Sequence, residues 1–314
     1  MTDLSYRASL KNPAVEEPID LLLHRPLGYV VARLAYPTSI TPDAITLASM
    51  VVGIASGITV ALSFSPQNAG RLPIAAALLI GSAVLDCSDG QLARMRKSSS
   101  RMGRMLDGAV DAVVQIAVVP LAILQMFVRL GGLSSWTAWA WSVAAVMAIL
   151  VGVRHTTLYD QYKNVWVRNT DLNARDCDDE EDLQDELAEA KAKGPLSLLN
   201  LLRFSLYATH LTLVRQTMAV MDPAVPARFR DMPHVSEDSA RRYRVANKAL
   251  MRAWSFFGIG THIFLLACCV ALNSLETYVV LRLVVFNLAL IPLVILQRKS
   301  STVYFGPAAP RARK

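Results

Sequence analysis

The chain has 314 residues, of which 53% are hydrophobic and only 18% are charged, and its mean hydropathy is +0.35. Soluble domains carry about 25% charged residues, so this composition excludes an ordinary water-soluble protein as well as a disordered one. The formal net charge of +7 is typical of a membrane protein whose cytoplasmic loops face anionic lipid, and no nucleic-acid partner is expected. The four cysteines have no zinc-like spacing and do not predict a disulfide framework.

The first forty residues are predicted to be a cytoplasmic N-terminus that contains an interfacial helix. Acidic residues and prolines stand where a signal peptide would have a basic segment and then an apolar one. Ile19–Ala35 places apolar residues at helical spacing with Arg25 and Arg33 between them. This pattern is typical of an amphipathic helix that lies on a membrane surface ahead of the first span.

Six segments are apolar enough to cross a bilayer, which needs about 20 residues per helix. They are 44–64, 72–93, 105–128, 136–154, 250–272 and 277–297. Lys and Arg are concentrated between the second and third spans, after the fourth span and in the tail, whereas the opposite loops hold few. The positive-inside rule therefore predicts that both termini are cytoplasmic. The fold class predicted is all-α integral membrane with six transmembrane helices, in a bacterial plasma membrane.

The segment between the fourth and fifth spans is predicted to be a cytoplasmic helical insertion. Its acidic run Asp176–Glu189 is compatible with a metal site, but runs of like charge are usually solvated faces. Leu196–Val220 is apolar but interrupted by Arg203 and Arg215, and a seventh span there would put the basic tail outside. A helix on the membrane surface is therefore expected. The predicted segments are 1–40, 41–157, 158–245 and 246–314.

The residues that indicate chemistry lie in Leu85–Val114, where the second span ends and the third begins. Two pairs of aspartates stand at helical spacing, so the members of each pair share a helix face: Asp86 with Asp89, and Asp107 with Asp111. The basic joint between the pairs is short, so the two helices form a hairpin that brings the acidic faces together. Four carboxylates near hydrocarbon repel one another unless cations lie among them. Oxygen-only ligands favour Mg²⁺ or Mn²⁺ over zinc.

Small residues on the acidic faces leave room for a ligand to approach the backbone. Gly90 and Ala93 follow Asp86 on its face, and Gly103 lies one turn before Asp107. Arg94 adds a planar guanidinium that suits a phosphate group. Carboxylate-bound metal together with a phosphate-binding arginine is the equipment for phosphoryl transfer from a diphosphate.

This segment resembles the CDP-alcohol phosphotransferase family. The spacing Asp86-x2-Asp89-Gly90-x2-Ala93-Arg94-x8-Gly103-x3-Asp107-x3-Asp111 matches the family signature at all of its eight fixed positions. Ahead of the first span, Thr41-Pro42-Asp43-Ala44-Ile45-Thr46 is similar to the family's TPNxxT entry, with Asp43 in place of the usual Asn. The six spans with both termini inside also match the family core, and the insertion lies outside the resemblance.

The resemblance implies a CDP-linked donor whose diphosphate bridges two divalent cations, Mg²⁺ or Mn²⁺. In this family an acceptor hydroxyl attacks the β-phosphorus and CMP leaves. Residue by residue, it implies metal ligation by Asp86, Asp89 and Asp107, with Asp111 either completing the metal site or accepting the hydroxyl proton. It also implies contacts with the CDP moiety, from Gly90, Ala93, Arg94, Gly103, Thr41 and Thr46.

Several alternatives stay open on the sequence. The typical donor is CDP-diacylglycerol, which would give a phospholipid; a CDP-polyol or CDP-amino alcohol with a lipid or phospho-polyol acceptor is the alternative within the family. From other classes, a cation transporter and an inactive scaffold are both less favoured, because the acids are intact and cluster at one border of the bilayer. A homodimer in a lipid membrane is expected. Arg154 is either an acceptor-phosphate ligand or a headgroup anchor, and Arg282 is expected to extend outward to the headgroups.

Overall fold

A computed structural model of the chain describes residues 5–10, 12–98, 101–171, 198–225 and 235–306. These residues form helices joined by turns, with no β-strand among them, which confirms the predicted all-α membrane class. The acidic run Asp176–Glu189 lies outside the described residues. The helices are α1 (Tyr6–Ser9), α2 (Arg25–Ala35), α3 (Pro42–Ala61), α4 (Leu72–Arg96), α5 (Arg101–Arg129), α6 (Trp136–Thr170), α7 (Leu198–Met221), α8 (Glu237–Trp254), α9 (Ile259–Ala271), α10 (Leu275–Val280) and α11 (Phe286–Phe305).

By length and composition, the described residues contain five helices able to cross a membrane, or six if one bent pair is counted as a span. The five are Pro42–Ala61, Pro66–Arg96, Leu106–Arg129, Trp136–Thr170 and Leu275–Phe305. The fifth predicted span, 250–272, corresponds to the bent pair Glu237–Phe257 and Ile259–Ala271, whose axes differ by 43°. The predicted insertion boundary at residue 158 falls within α6, which continues to Thr170.

The described residues divide into two compact units. The first comprises those in Met1–Gly152 and Ser255–Asn287, and the second those in Val153–Trp254 and Leu288–Lys314. The signature aspartates all belong to the first unit.

Helices α3, α4 and α5 pack closely in the first unit because α3 presents small residues to both neighbours. A Cβ on Gly53 would collide with Val114, and one on Gly57 would collide with the backbone carbonyl of Ala117. On the α4 side, the Ser56 hydroxyl donates to the carbonyl of Ala75 at 2.7 Å. Inside a membrane no hydrophobic force draws helices together, so close packing depends on small residues that let the helix backbones approach one another.

Helix α2 and the π-helical turn before it, Asp20–His24, cover the segment predicted to form an interfacial helix. The inner face of α2 is built on Gly28, which packs against Gln91, Ser88 and Val84 of α4. On the outer face, four leucine and valine side chains are exposed: Leu22, Leu27, Val30 and Leu34. An exposed apolar stripe on a short helix outside the spans is the surface that an interfacial helix presents to lipid.

Glu17 caps helix α9 from a distance of more than two hundred residues in the chain. Its carboxylate accepts hydrogen bonds from the Gly260 and Thr261 amides at 3.1 and 2.7 Å, and from the Thr261 hydroxyl at 2.8 Å. The carboxylate also fills the space that a Cβ on Gly258 would occupy. Because the first amides of a helix have no partner within it, this contact satisfies donors that would otherwise be buried and unpaired.

We expect the stability contributed by Glu17 to fall as the pH rises. Burial and the nearby Asp20 raise the pKa of Glu17 from 4.5 to about 7. At a pH between these two values, the folded state holds a proton that the unfolded state releases. Glu17→Gln removes this titration while keeping one acceptor oxygen. The measurement is thermal unfolding in detergent. When the pH is raised from roughly 5 to 8, the melting temperature of the wild type should fall by about 5 °C or more relative to that of Glu17→Gln. A difference that does not change with pH would contradict the assignment.

The second unit is held together by a buried polar cluster centred on Asp222, which follows the end of α7. The Tyr162 and Ser301 hydroxyls donate to its Oδ2 at 3.2 and 2.5 Å. The Arg298 guanidinium donates to the carbonyls of Val220 and Met221 and so caps the carboxyl end of α7. The cluster therefore fixes α6, α7 and α11 to one another.

Candidate active site

The carboxylates of Asp86, Asp89 and Asp107 converge at the centre of the candidate site. One oxygen from each lies within 4.8 Å of the others, and Asp89 is buried while the other two are half-buried. Asp86 and Asp89 are on α4 and Asp107 is on α5, so the hairpin brings the two acidic faces together as the spacing predicts. Among the described residues, this is the one group of three or more potential ligand side chains that lie this close together.

Asp111 does not belong to this group of three. It lies one helical turn beyond Asp107 on α5, about 6 Å further along the helix axis. The half-buried side chain is close enough to the other acids to interact with them electrostatically. Its carboxylate is not one of the three that converge, and both roles implied for it by the family, metal ligand or proton acceptor, stay predictions.

Thr46 lies against a metal-ligand candidate, and its predicted contact with the CDP moiety stays a prediction. Its hydroxyl is buried and donates to Oδ2 of Asp89, on the neighbouring helix. Thr41 begins the same helix: its side chain accepts from the Ala44 amide at 3.2 Å and forms the N-cap of α3. Thr46 thus orients Asp89, and Thr41 begins helix α3, which carries Thr46.

Gly90 and Arg94 lie against each other on α4, and their binding of the CDP moiety stays a prediction. The Arg94 guanidinium folds over Gly90, where a Cβ would lie 3.3 Å from Nη1. Its Nε donates to the Ser9 carbonyl at 2.6 Å, and its Nη2 is buried without a hydrogen-bond partner among the described residues. The Gln91 amide donates to the Ser9 hydroxyl at 3.1 Å. Helix α1 therefore lies on the arginine and holds its guanidinium in place.

The sequence did not single out Ser9, Gln91 or Arg96 as contributors to this site. The Arg96 guanidinium donates to four carbonyls between α2 and α3, from Ala35, Tyr36, Thr38 and Ile40, at 2.6–3.0 Å. It thereby fixes the loop that leads into the entry motif. In the sequence Arg96 is one cation among several in a basic joint, and nothing there distinguishes it.

The remaining predicted residues lie as follows. Ala93 is half-buried one turn beyond Gly90 on α4, and Gly103 is half-buried one turn before Asp107 on α5. Arg154 is exposed and donates to the Thr217 hydroxyl of α7 at 2.7 Å within the second unit. The expectation that Arg282 extends outward is wrong, because its side chain is 5% exposed and its guanidinium packs against Gly152.

The donor set fits a hard divalent cation. All three convergent groups are carboxylates, and the buried Oδ1 of Asp86 has no hydrogen-bond partner among the described residues. A buried carboxylate oxygen without a partner is costly, and a cation would supply the missing interaction. Asp86, Asp89 and Asp107 are the residues that would hold it.

Comparison with known proteins agrees with this geometry. Residues 39–175 match the model of the CDP-alcohol phosphatidyltransferase family. A CDP-diacylglycerol--serine O-phosphatidyltransferase of Mycobacterium tuberculosis strain H37Rv is 34% identical over 128 residues, which cover 41% of this chain and 40% of the relative. The enzyme of the same name from Mycobacterium leprae strain TN is 36% identical over 93 residues, covering 30% of this chain and 28% of the relative.

The chain thus spans about two fifths of the length of the curated relatives it matches over 128 residues. The matched residues include every position of the aspartate signature and the entry motif. With several candidate spans and bacterial relatives, the chain is a multi-pass bacterial membrane protein. The resemblance predicted from the signature is confirmed, because residues 39–175, which contain that signature, are similar to the CDP-alcohol phosphatidyltransferase family.

Proposed function

We propose that this chain is a membrane enzyme that transfers a phosphatidyl group from CDP-diacylglycerol to an alcohol acceptor and releases CMP, in phospholipid biosynthesis. The observation that carries the proposal is the convergence of Asp86, Asp89 and Asp107 within 4.8 Å, inside a segment that matches the family. Acids that gather at one level also favour a catalytic site over the ion path of a transporter, whose acids would be spread across the bilayer.

The proposed reaction breaks one phosphorus–oxygen bond and forms another. The oxygen of the acceptor hydroxyl attacks the phosphorus that carries diacylglycerol, the bond to CMP breaks, and CMP leaves with the electron pair of that bond. Asp111 accepts the hydroxyl proton, and Arg94 with Gly90 binds the diphosphate of the donor. Two divalent cations, Mg²⁺ or Mn²⁺, held by Asp86, Asp89 and Asp107, would neutralise charge on the diphosphate and on the leaving group.

We propose serine as the first acceptor to examine, because serine is named in the curated relatives. The alternative within the family is a CDP-polyol or CDP-amino alcohol donor used with a lipid or phospho-polyol acceptor. The two differ in which half of the product comes from the nucleotide, so a labelled donor distinguishes them.

The decisive experiment measures CMP release from purified full-length protein in mixed micelles. CDP-diacylglycerol, CDP-choline and CDP-glycerol are each supplied with a panel of acceptors, with Mg²⁺ or Mn²⁺ and then with excess EDTA. The proposal expects release from CDP-diacylglycerol that depends on both acceptor and metal. Release from a soluble CDP-alcohol alone would favour the alternative donor, and no metal-dependent release from any donor would reject the proposal.

We also propose that both termini are cytoplasmic, with α2 in the membrane interface, residues 158–245 in the cytoplasm and the site at the cytoplasmic border. The charge asymmetry of the loops supports this orientation. The predicted homodimer remains part of the proposal, and crosslinking in native membranes tests it.

Orientation can be tested by cysteine labelling in a background without the four native cysteines. Lys97→Cys lies in the exposed joint between α4 and α5, and Ser134→Cys lies in the exposed turn between α5 and α6. In sealed right-side-out vesicles, a membrane-impermeant maleimide should modify Ser134→Cys and leave Lys97→Cys unmodified until the vesicles are opened. The reverse pattern would place the site on the outer face.

A further inference from the structure

Arg96 is a cation at the cytoplasmic joint whose guanidinium has no part in the proposed reaction. It is the last residue of α4 and its side chain is half-buried. Nη2 donates to the carbonyls of Ala35, Tyr36 and Thr38 at 2.8–3.0 Å, and Nη1 donates to the carbonyl of Ile40 at 2.6 Å. Hydrogen bonds from a charged donor are stronger than neutral ones, so one side chain fixes this whole stretch of backbone to the end of α4.

The stretch that Arg96 holds joins α2 to α3. Ala35 is the last residue of α2, and Ile40 directly precedes Thr41, the N-cap of α3. Thr38 gives the stretch a defined shape, because its amide and its hydroxyl both donate to the Ala35 carbonyl, at 3.0 and 2.7 Å. The guanidinium therefore sets the point at which α3 begins relative to α4.

Asp89 lies on the same face of α4 as Arg96. The two are seven residues apart, which is about two turns and about 10 Å along the helix. On the neighbouring helix, Thr46 lies five residues after Thr41 and donates its hydroxyl to Oδ2 of Asp89. The beginning of α3 is thus attached to α4 at two levels, and a shift at the first would move the Thr46 hydroxyl at the second.

Deeper in the bundle, α3 is held to α4 by contacts that do not involve Arg96. The Ser49 hydroxyl donates to the Thr46 carbonyl at 2.7 Å, and the Ser82 hydroxyl of α4 donates to the Ser49 carbonyl at 2.8 Å. Both serines are buried. These contacts stay in place without Arg96, so its loss should loosen the first turns of α3 and leave the helix pair folded.

We infer that Arg96 is a positioning residue for the group of three carboxylates. By fixing the start of α3, it keeps the Thr46 hydroxyl on one oxygen of Asp89 and so holds this carboxylate toward Asp86 and Asp107. Carboxylates that bind metals are themselves oriented by hydrogen bonds, and loss of such a partner typically costs about 10- to 100-fold in metal affinity or activity. The inference rests on the metal site of the proposed function.

The test measures binding of Mn²⁺ alone to the purified full-length protein in detergent, from the electron paramagnetic resonance signal of free Mn²⁺. Arg96→Gln should weaken binding by roughly 10-fold or more, because a single amide cannot serve four carbonyls. Arg96→Lys keeps the charge and three donors, so its affinity should lie between those of Arg96→Gln and the wild type. Lys97→Gln is the matched control: it removes the same charge from the next, exposed residue and should leave binding within about twofold.

A double-mutant cycle tests whether Arg96 acts through Thr46. Thr46→Val keeps the shape of the side chain and removes its hydroxyl, so it should weaken Mn²⁺ binding by roughly 10-fold or more. Adding Arg96→Gln to Thr46→Val should then cost less than about twofold further, because the contact that Arg96 supports is already gone. Fully additive losses would show that Arg96 acts by another route and would overturn the inference. If Arg96→Gln does not fold, Arg96→Lys takes its place in the cycle.

The metal dependence of CMP release gives a second readout. In Arg96→Gln the Mn²⁺ concentration for half-maximal rate should rise by the same factor as the dissociation constant. At saturating Mn²⁺, kcat should return to within about threefold of the wild type. A variant that was merely less well folded would lose kcat and keep its metal affinity, which would contradict a positioning role.

The outcomes separate this inference from the proposed function. Unchanged Mn²⁺ binding in Arg96→Gln, or an equal loss in Lys97→Gln, would overturn the inference and leave the proposed function standing. A wild type that binds no Mn²⁺ would overturn both the metal site and the inference. If the variants weaken Mn²⁺ binding as expected but no donor releases CMP, the proposed function fails and the positioning role of Arg96 stands.

Discussion

Asp86→Asn should reduce CMP release by roughly 10³-fold or more and weaken metal-dependent donor binding. The substitution keeps the size of the side chain but removes the charge, in a group of three carboxylates whose ligand oxygens lie within 4.8 Å. Asp89→Asn and Asp107→Asn should have the same consequence, because each supplies one member of the group. Calorimetric titration of CDP-diacylglycerol in micelles, with and without Mg²⁺, measures the binding beside the rate.

Asp160→Asn is the control for this substitution. Asp160 is exposed on α6 and pairs with Lys163 at 2.7 Å, so the same chemical change there should leave turnover within about twofold. If Asp86→Asn binds the donor as tightly as the wild type and responds to Mg²⁺ in the same way, the group of three carboxylates is not the metal site.

The convergence of the aspartates could be predicted because it depends on local geometry. A helix fixes which residues share a face, and a short joint forces the two helices to form a hairpin, so spacing alone brings Asp86, Asp89 and Asp107 together. The apolar length of the spans is likewise a local property. Each of the first four predicted spans lies within or overlaps one of the first four candidate spans of the structure. The last predicted span lies within Leu275–Phe305.

What could not be predicted depends on contacts between distant parts of the chain. The fifth predicted span is bent because Gly258 interrupts the helix and Glu17, from the N-terminal segment, caps its second half. The partner of Arg94 is the carbonyl of Ser9, and any residue could supply a carbonyl. No periodicity in a sequence reports such pairings.

Arg282 illustrates the same limit in a single residue. A cation near the end of an apolar segment is ordinarily expected to extend to the headgroups, since that is the inexpensive solution for an isolated helix. The space left by Gly152, on a helix more than a hundred residues away in the chain, changes the outcome. The sequence shows a glycine and an arginine, and only the packing of α6 against the π-helical turn Leu281–Val285 shows that they belong together.

Asp111→Asn should separate catalysis from binding. Asp111 lies outside the group of three carboxylates, one turn along α5, so removing its charge should leave metal-dependent donor binding within a few-fold. If it accepts the proton of the acceptor hydroxyl, kcat should fall by about 10²–10⁴-fold, the usual contribution of a general base. The same calorimetric titration and the CMP-release assay, run side by side on Asp111→Asn and Asp86→Asn, provide the comparison.

The contrast between the two variants decides the role of Asp111. A loss of rate with donor binding retained identifies a proton acceptor, and Asp111→Glu should then recover part of kcat because the base is kept and only its position changes. A loss of donor binding as complete as that of Asp86→Asn would make Asp111 a metal ligand first. In that case the proton of the acceptor hydroxyl must leave to another group, and the base assignment fails.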